Sequence, residues 1–355
     1  MVDWLAGKRI KGTSTERTAS FIPSVGGWVE LGRTTLGSAG DIISVASLAN
    51  KRYYMILADQ RASGSTNQGF RLNGDVTSTY AQRGNFNGTE NLLAPSSTLM
   101  GNWGSAVTTN AFHVGYLANK SDKEKLAIIH NVTQNAVGVE IAPSRQEGVG
   151  KHVQTSVAIN AVSLTNTDAG DYISGSELVV LGYDPADTHS TNFWTELASA
   201  DLSGGIVDTG VFTAKKYLWV QGWVKTATVT GGFNTMFVGN TTVDKSVVYS
   251  HRSSINGAGD EPIISQSIYG LYRLIGQGNS NSNEMTFINC FIINNSAKEK
   301  LFISHANFST SGIAPNRTEG VAKWANTSAQ INRITFEYVG SGSFSSGQIK
   351  VWGSD

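Results

Sequence analysis

The chain has 355 residues, of which 40 % are hydrophobic and 15 % charged, so it can bury sizeable cores and is long enough for two domains of ordinary size. Lysine plus arginine and aspartate plus glutamate each total 27, and the zero formal net charge excludes bulk attraction to nucleic acid or to an anionic membrane. A single cysteine, Cys290, lies in the apolar run Phe287–Ile293; no intrachain disulfide or cysteine-rich metal site can form, and the thiol reads as a small buried hydrophobe.

Residues 1–25 differ from the remainder. They carry no apolar signal-peptide core or cleavage-site pattern, and no run in the chain approaches membrane-spanning length, so a soluble product made in a cytoplasm is expected. Trp4, Lys8, Arg9, Lys11 and Arg17 stand among glycines and a Thr-Ser-Thr run that favour extended backbone. Two readings stay open: a solvated terminus, or an assembly arm anchored by Trp4 on a neighbouring subunit.

Beyond this arm the chain is written twice. Lys-Glu-Lys-Leu occurs at Lys123–Leu126 and again at Lys298–Leu301, an offset of 175 (298 − 123) that His130 and His305 share. After a deletion of roughly three residues, Ala-Pro-x-Arg-x-Glu-Gly-Val at Ala142–Val149 matches Ala314–Val321. The strand Tyr53–Leu57, after Lys51-Arg52, has its counterpart in Tyr217–Val220 after Lys215-Lys216. Phe70–Asp75 corresponds to Met236–Asn240, and Thr79–Arg83 with the turn Asn87-Gly88 corresponds to Val248–Arg252 with Asn256-Gly257. Residues 91–110 and 261–283 diverge most and read as surface loops. The lysines of the Lys-Glu-Lys-Leu turns read as solubilising gatekeepers beside an apolar hairpin. Glu177–Leu181 and Gln348–Trp352 close the two copies.

Ile334, Phe336 and Tyr338 alternate with Thr335 and Glu337, the period of a strand with one buried face. About eight such strands per copy and no amphipathic helix predict an all-β chain: two tandem antiparallel β-sandwich domains, jelly-roll-like, from an internal duplication. The boundaries are an arm at 1–25, a first repeat at 26–185, a linker at 186–205 and a second repeat at 206–355. In the linker, Phe193, Trp194 and Leu197 are expected to form one helical turn and to cover the seam between the domains.

No catalytic constellation stands out, and neither a metal nor a cofactor is expected. His130 and His305 belong to no nucleophile or metal motif and read as structural histidines at strand ends. Arg145 with Glu147, and Arg317 with Glu319, alternate onto one side of an extended segment and predict ion pairs. Glu147 and Glu319 have no second acid recurring nearby, as glycoside hydrolysis would need. Asp59, Asp75 and Asp168 lack the dense acidic spacing of a calcium loop. Trp103, Tyr269 and Tyr272, in the divergent stretches, are the candidates for stacking on a glycan.

Four stretches carry a resemblance: Gly7–Arg17, the Ser-x-Lys-Glu-Lys-Leu hairpins, the Ala-Pro-x-Arg-x-Glu segments and Trp324–Ile331. Together they resemble the Gly/Ser/Thr-rich β-sandwich structural proteins of marine, phage-like virions, whether capsid, decoration or tail-fibre components. The resemblance implies a non-enzymatic virion protein whose partners are itself and other virion proteins, with neither nucleic acid nor membrane insertion. Two jelly rolls in one chain are also similar to double-jelly-roll capsid proteins, which form trimers, although such close similarity between repeats is unusual there. The alternative is a glycan-binding module on a viral fibre or cell surface, with a host glycan as partner.

Overall fold

The computed structural model describes residues 27–105, 108–185, 187, 191–227, 230–267, 269–275, 284–309 and 314–355. The expected arm residues Trp4, Lys8, Arg9, Lys11 and Arg17 lie outside the described residues.

The first half of the chain forms β1 (Val29–Thr35), β2 (Ile42–Val45), β3 (Tyr53–Arg61), β4 (Thr66–Leu72), β5 (Tyr80–Phe86) and β6 (Thr89–Ser97). It continues with β7 (Met100–Ser105), β8 (Asn110–Ala118), β9 (Lys125–Thr133), β10 (Ser144–His152), β11 (Val162–Asn166) and β12 (Glu177–Tyr183). The second half begins with β13 (Thr195–Ser203), β14 (Ile206–Asp208), β15 (Tyr217–Thr226), β16 (Thr230–Asn240), β17 (Thr242–Val243) and β18 (Tyr249–Ile255). After β19 (Glu261–Gln266) and a 3-10 turn at Tyr272–Ile275 come β20 (Met285–Ile293), β21 (Lys300–Phe308), β22 (Asn316–Trp324), β23 (Arg333–Ser341) and β24 (Phe344–Ser354).

The fold is all-β, and its ladders are antiparallel. The first half makes an eight-stranded sheet, ordered β1-β12-β3-β8-β9-β10-β5-β6, and a four-stranded sheet, β2-β11-β4-β7. The second half is one twelve-stranded sheet, β17-β16-β23-β14-β13-β24-β15-β20-β21-β22-β18-β19. Its stretch from β13 to β19 follows the same order as the eight-stranded sheet once the short β17 is allowed for, and β14-β23-β16 follows β2-β11-β4. A turn at Gly204-Gly205, both with positive φ (60° and 86°), carries β13 into β14. There the sheet curls until both its ends share a core, in which Leu218, Val220 and Ile349 meet Met236, Ile334 and Phe336.

In the first half, Tyr54, Ile56 and Ala58 of β3 point into a core with Phe70, Leu72 and Leu164 of the smaller sheet. Met55 and Leu57 point the other way, into a third core at the seam between the halves. β3 is therefore buried on both faces, and so its sequence reads as a continuous apolar run rather than an alternation. Recurring polar pins fix the small sheets to the large ones. Tyr80 Oη accepts from Leu72 N at 2.9 Å, and Tyr249 Oη from Val238 N at 3.2 Å. Asn119 exchanges hydrogen bonds with the Ile159 backbone as Asn294 does with Ile331, satisfying buried groups that would otherwise be costly.

Three expectations need correction. Among the described residues each half holds twelve strands, not about eight, and β6 and β7 occupy the stretch read as a loop at 91–110, while β19 lies within 261–283. Trp103 accordingly sits in a strand. Within the segment read as a linker, Thr195–Ser203 is strand β13, not a helical turn: it pairs with β24 and completes the large sheet, a tertiary demand that overrides local propensity. Phe193 and Trp194 are buried at the seam, as expected of linker aromatics.

Candidate functional site

The two large sheets meet face to face. Met55, Leu57, Phe112, Val114, Val179 and Leu181 of the first pack against Tyr217, Phe291, Ile293, Leu301, Ile303 and Val321 of the second. Polar contacts border this apolar seam. Asp59, buried, pairs with Lys298 at 3.1 Å and Lys216 at 3.6 Å. Glu177 accepts from Lys216 at 2.9 Å and from Tyr217 Oη at 2.8 Å. Lys323 Nζ, fully buried, donates to Ala136 O at 2.6 Å.

At one edge of the seam the side chains of the repeated motifs converge. Arg145 is buried; its guanidinium pairs with Glu147 at 2.8 Å, Asp260 at 2.6 Å and Glu319 at 3.4 Å. Burial opposes its charge, but Asp260 and Glu147 outweigh this and raise its pKa above the ordinary value. His130 of β9 and His305 of β21 lie with ring centroids 4.4 Å apart. Between them, Glu147 Oε1 is 3.7 Å from His130 Nδ1 and 3.2 Å from His305 Nε2. Burial pushes the Glu147 carboxyl up, yet the two imidazoles and Arg145 more than offset this and hold it well below the usual carboxylate range. Burial dominates at His130 and depresses its pKa, favouring the neutral ring. The cluster opens onto a polar depression of about 550 Å³ lined by Arg83, Asn85, Glu90, Ser254, Arg317 and Glu319.

Beside it the first sheet leaves part of its face open. Leu126 is 57 % exposed and Val149 53 %, whereas their counterparts in the second half, Leu301 and Val321, are 0 % and 1 % exposed. With Tyr53, Leu93, Tyr116 and Ile128 they line a shallow apolar depression of about 760 Å³. Lone exposed apolar residues are ordinary, but a contiguous patch marks an interaction surface.

The expected ion pairs are present, Arg145 with Glu147 and Arg317 with Glu319 at 3.1 Å, both on strands. His130 and His305 are within strands at the seam rather than at strand ends. Of the glycan candidates, Tyr269 and Tyr272 come together around Phe233, with centroids 5.2 and 4.5 Å from its ring. The Trp103 side chain lies outside what is described. Sequence reasoning missed the open face and the meeting of the two histidines; their shared offset was the signal available for the latter.

No family model and no curated protein matches the chain. Among solved structures, domains LG4-5 of the mouse laminin alpha1 chain align at 11 % identity over 92 % of this chain and 89 % of theirs, with a TM-score of 0.19. The translocator domain of autotransporter NalP from Neisseria meningitidis aligns at 8 % identity over 78 % of this chain and 89 % of its own, TM-score 0.12. Pseudomonas aeruginosa OpdL aligns at 8 % over 86 % and 98 %, TM-score 0.13. These scores carry no argument about fold or function.

Proposed function

We propose that this chain is a non-enzymatic structural protein of a virion, built as tandem β-sandwich units from an internal duplication, which self-associates through the open face of its first large sheet. The observation that carries this reading is the unequal fate of one surface. Leu301, Ile303 and Val321 are covered within the chain, while Leu126, Ile128 and Val149 in the same places of the first half face outwards. The occupant is a second copy of this chain, presenting Trp219, Trp223 and Phe287 of its second sheet. By the sequence register these stand where Met55, Asp59 and Phe112 stand in the first half. Met55 and Phe112 help cover the second sheet within the chain, so the contact between copies continues an interface already made. Such a contact is head-to-tail and builds rings if the rotation closes, filaments if it does not. The virion setting rests on the sequence resemblance.

The test uses Ile128→Asp and Phe287→Asp, alone and mixed, followed by light scattering and electron microscopy. Wild type should assemble, each variant alone should stay monomeric, and the equimolar mixture should stop at dimers, because each partner keeps one competent surface. A monomeric wild type at high concentration, or a Phe287→Asp protein that assembles normally, would overturn the reading.

The Phe233, Tyr269 and Tyr272 cluster favours a second reading, glycan binding, because Tyr269 is 43 % exposed and held edge-on by its two aromatic neighbours. Binding on a glycan array that Tyr269→Ala abolishes would support it; an array without signal would remove it.

A further inference from the structure

We infer that His130, Glu147 and His305 form a transition-metal site of the zinc class that ties the two halves of the chain together. One ligand atom from each lies within 4.8 Å of the others. Two of the separations, 3.2 and 3.7 Å to the shared Glu147 Oε1, bracket the edge of about 3.3 Å between donors on a tetrahedral zinc with bonds near 2.0–2.1 Å. Two imidazoles and a carboxylate suit zinc better than calcium or magnesium, which take oxygen donors.

Three further observations support the site. His130 Nδ1 is buried and has no hydrogen-bond partner among the described residues, a costly state that ligation would relieve. Glu147 is already oriented, because Arg145 holds its other oxygen, Oε2, and Asp260 balances the Arg145 charge. Such outer partners are what metal ligands require. Finally, the polar depression beside the cluster gives an ion a way in and leaves room for water as a fourth ligand. The donors come from β9 and β10 of one half and β21 of the other, so the ion would act across the seam, independently of the open face.

The experiment takes untagged full-length protein, strips it with a chelator, and dialyses it against Zn2+ alone or Co2+ alone. One metal per chain should be retained, Co2+ should show the visible band of a tetrahedral site, and Zn2+ should raise the thermal midpoint. His305→Gln should lose retention, band and shift, and Glu147→Gln, which keeps the side-chain shape, serves if that variant misfolds. Stripped wild type that retains no stoichiometric metal, or a folded variant that retains as much as wild type, would overturn the inference.

Discussion

Lys300 occupies in the second half the place of Lys125 in the first, and each ammonium is buried under its hairpin and capped by two backbone carbonyls. Lys125 Nζ donates to Lys123 O at 2.7 Å and Gln154 O at 2.8 Å, and Lys300 Nζ to Lys298 O and Asn326 O, both at 2.8 Å. These are not the solvated gatekeepers that the charge pattern suggested. They tie the hairpin to the next loop, at the expense of desolvating a cation.

That cost makes the first prediction. Burial lowers the Lys300 pKa from 10.5 to about 8, with Glu299 opposing only in part. Between these values the unfolded chain holds a proton that the folded chain has released, so stability should rise with pH from about 8 by up to about 1.4 kcal/mol per unit. Urea midpoints of wild type and Lys300→Met, compared between pH 7.5 and 9.5, isolate this contribution from those of Lys125 and Lys323, which burial also lowers, and of the Cys290 thiol, which burial raises and which acts in the opposite sense. The variant should lack the part of the slope due to Lys300; an unchanged slope would refute the assignment.

The second prediction concerns acid. His251 is fully buried, neither ring nitrogen has a hydrogen-bond partner among the described residues, and burial with help from Arg273 depresses its pKa from 6.5 to about 3. A depressed histidine stays neutral when folded and protonates when unfolded, so it costs stability as pH falls below 6.5, by about 1.4 kcal/mol per unit. Above pH 5, where carboxylates contribute little, His113, also lowered to about 3 by burial, and His130, which burial lowers too, contribute in the same sense. His251→Phe should fold at least as well at pH 7 and should remove about one proton from the stability slope between pH 6.5 and 5. A variant as acid-sensitive as wild type would show that this ring is protonated when folded.

These two cases indicate what sequence can reveal. The all-β class, the antiparallel hairpins, the paired motifs and the Arg-Glu contacts all follow from local period and spacing. β9 and β21 carry nearly the same pattern, Leu126-Ala127-Ile128 and Leu301-Phe302-Ile303, yet one outer face is open and the other covered. No local signal distinguishes them, because burial there is decided by the sheet that docks on it. His130, Glu147 and His305 are likewise gathered from both halves, His305 being 158 residues from Glu147. Strand β13 was misread because its pairing partner, β24, lies at the far end of the chain.

The third prediction sets the two motif arginines against each other. Arg145 is buried against Asp260, whose side chain is fully buried, whereas Arg317 is 62 % exposed and, among the described residues, pairs with Glu319. Removing one partner of a buried pair strands the other charge, so Arg145→Leu should cost about 3–5 kcal/mol of unfolding free energy. Arg317→Leu, at the matching position, should cost no more than about 1 kcal/mol. Chemical denaturation of both variants decides the matter, and equal losses would refute the inequality.

The fourth prediction turns on a size exchange between the halves. Gly222 stands in β15 where Ala58 stands in β3, and a Cβ built on it would lie 2.4 Å from Cε2 of Phe336 and 2.9 Å from Gln348 O. By the pairing of β11 with β4 and of β23 with β16, Phe336 stands where Leu164 stands in the first half. One core therefore combines alanine with leucine and the other glycine with phenylalanine, two ways of filling similar space at high packing density. Gly222→Ala alone overpacks its site and should cost about 1–3 kcal/mol. Phe336→Leu alone opens a void and should also destabilise. Combined, they recreate the pairing of the first half, so the double variant should be more stable than the sum of the single losses predicts, with a coupling of at least about 0.5 kcal/mol. Strictly additive losses in the double-mutant cycle would mean that the glycine answers to the Gln348 carbonyl rather than to the phenylalanine.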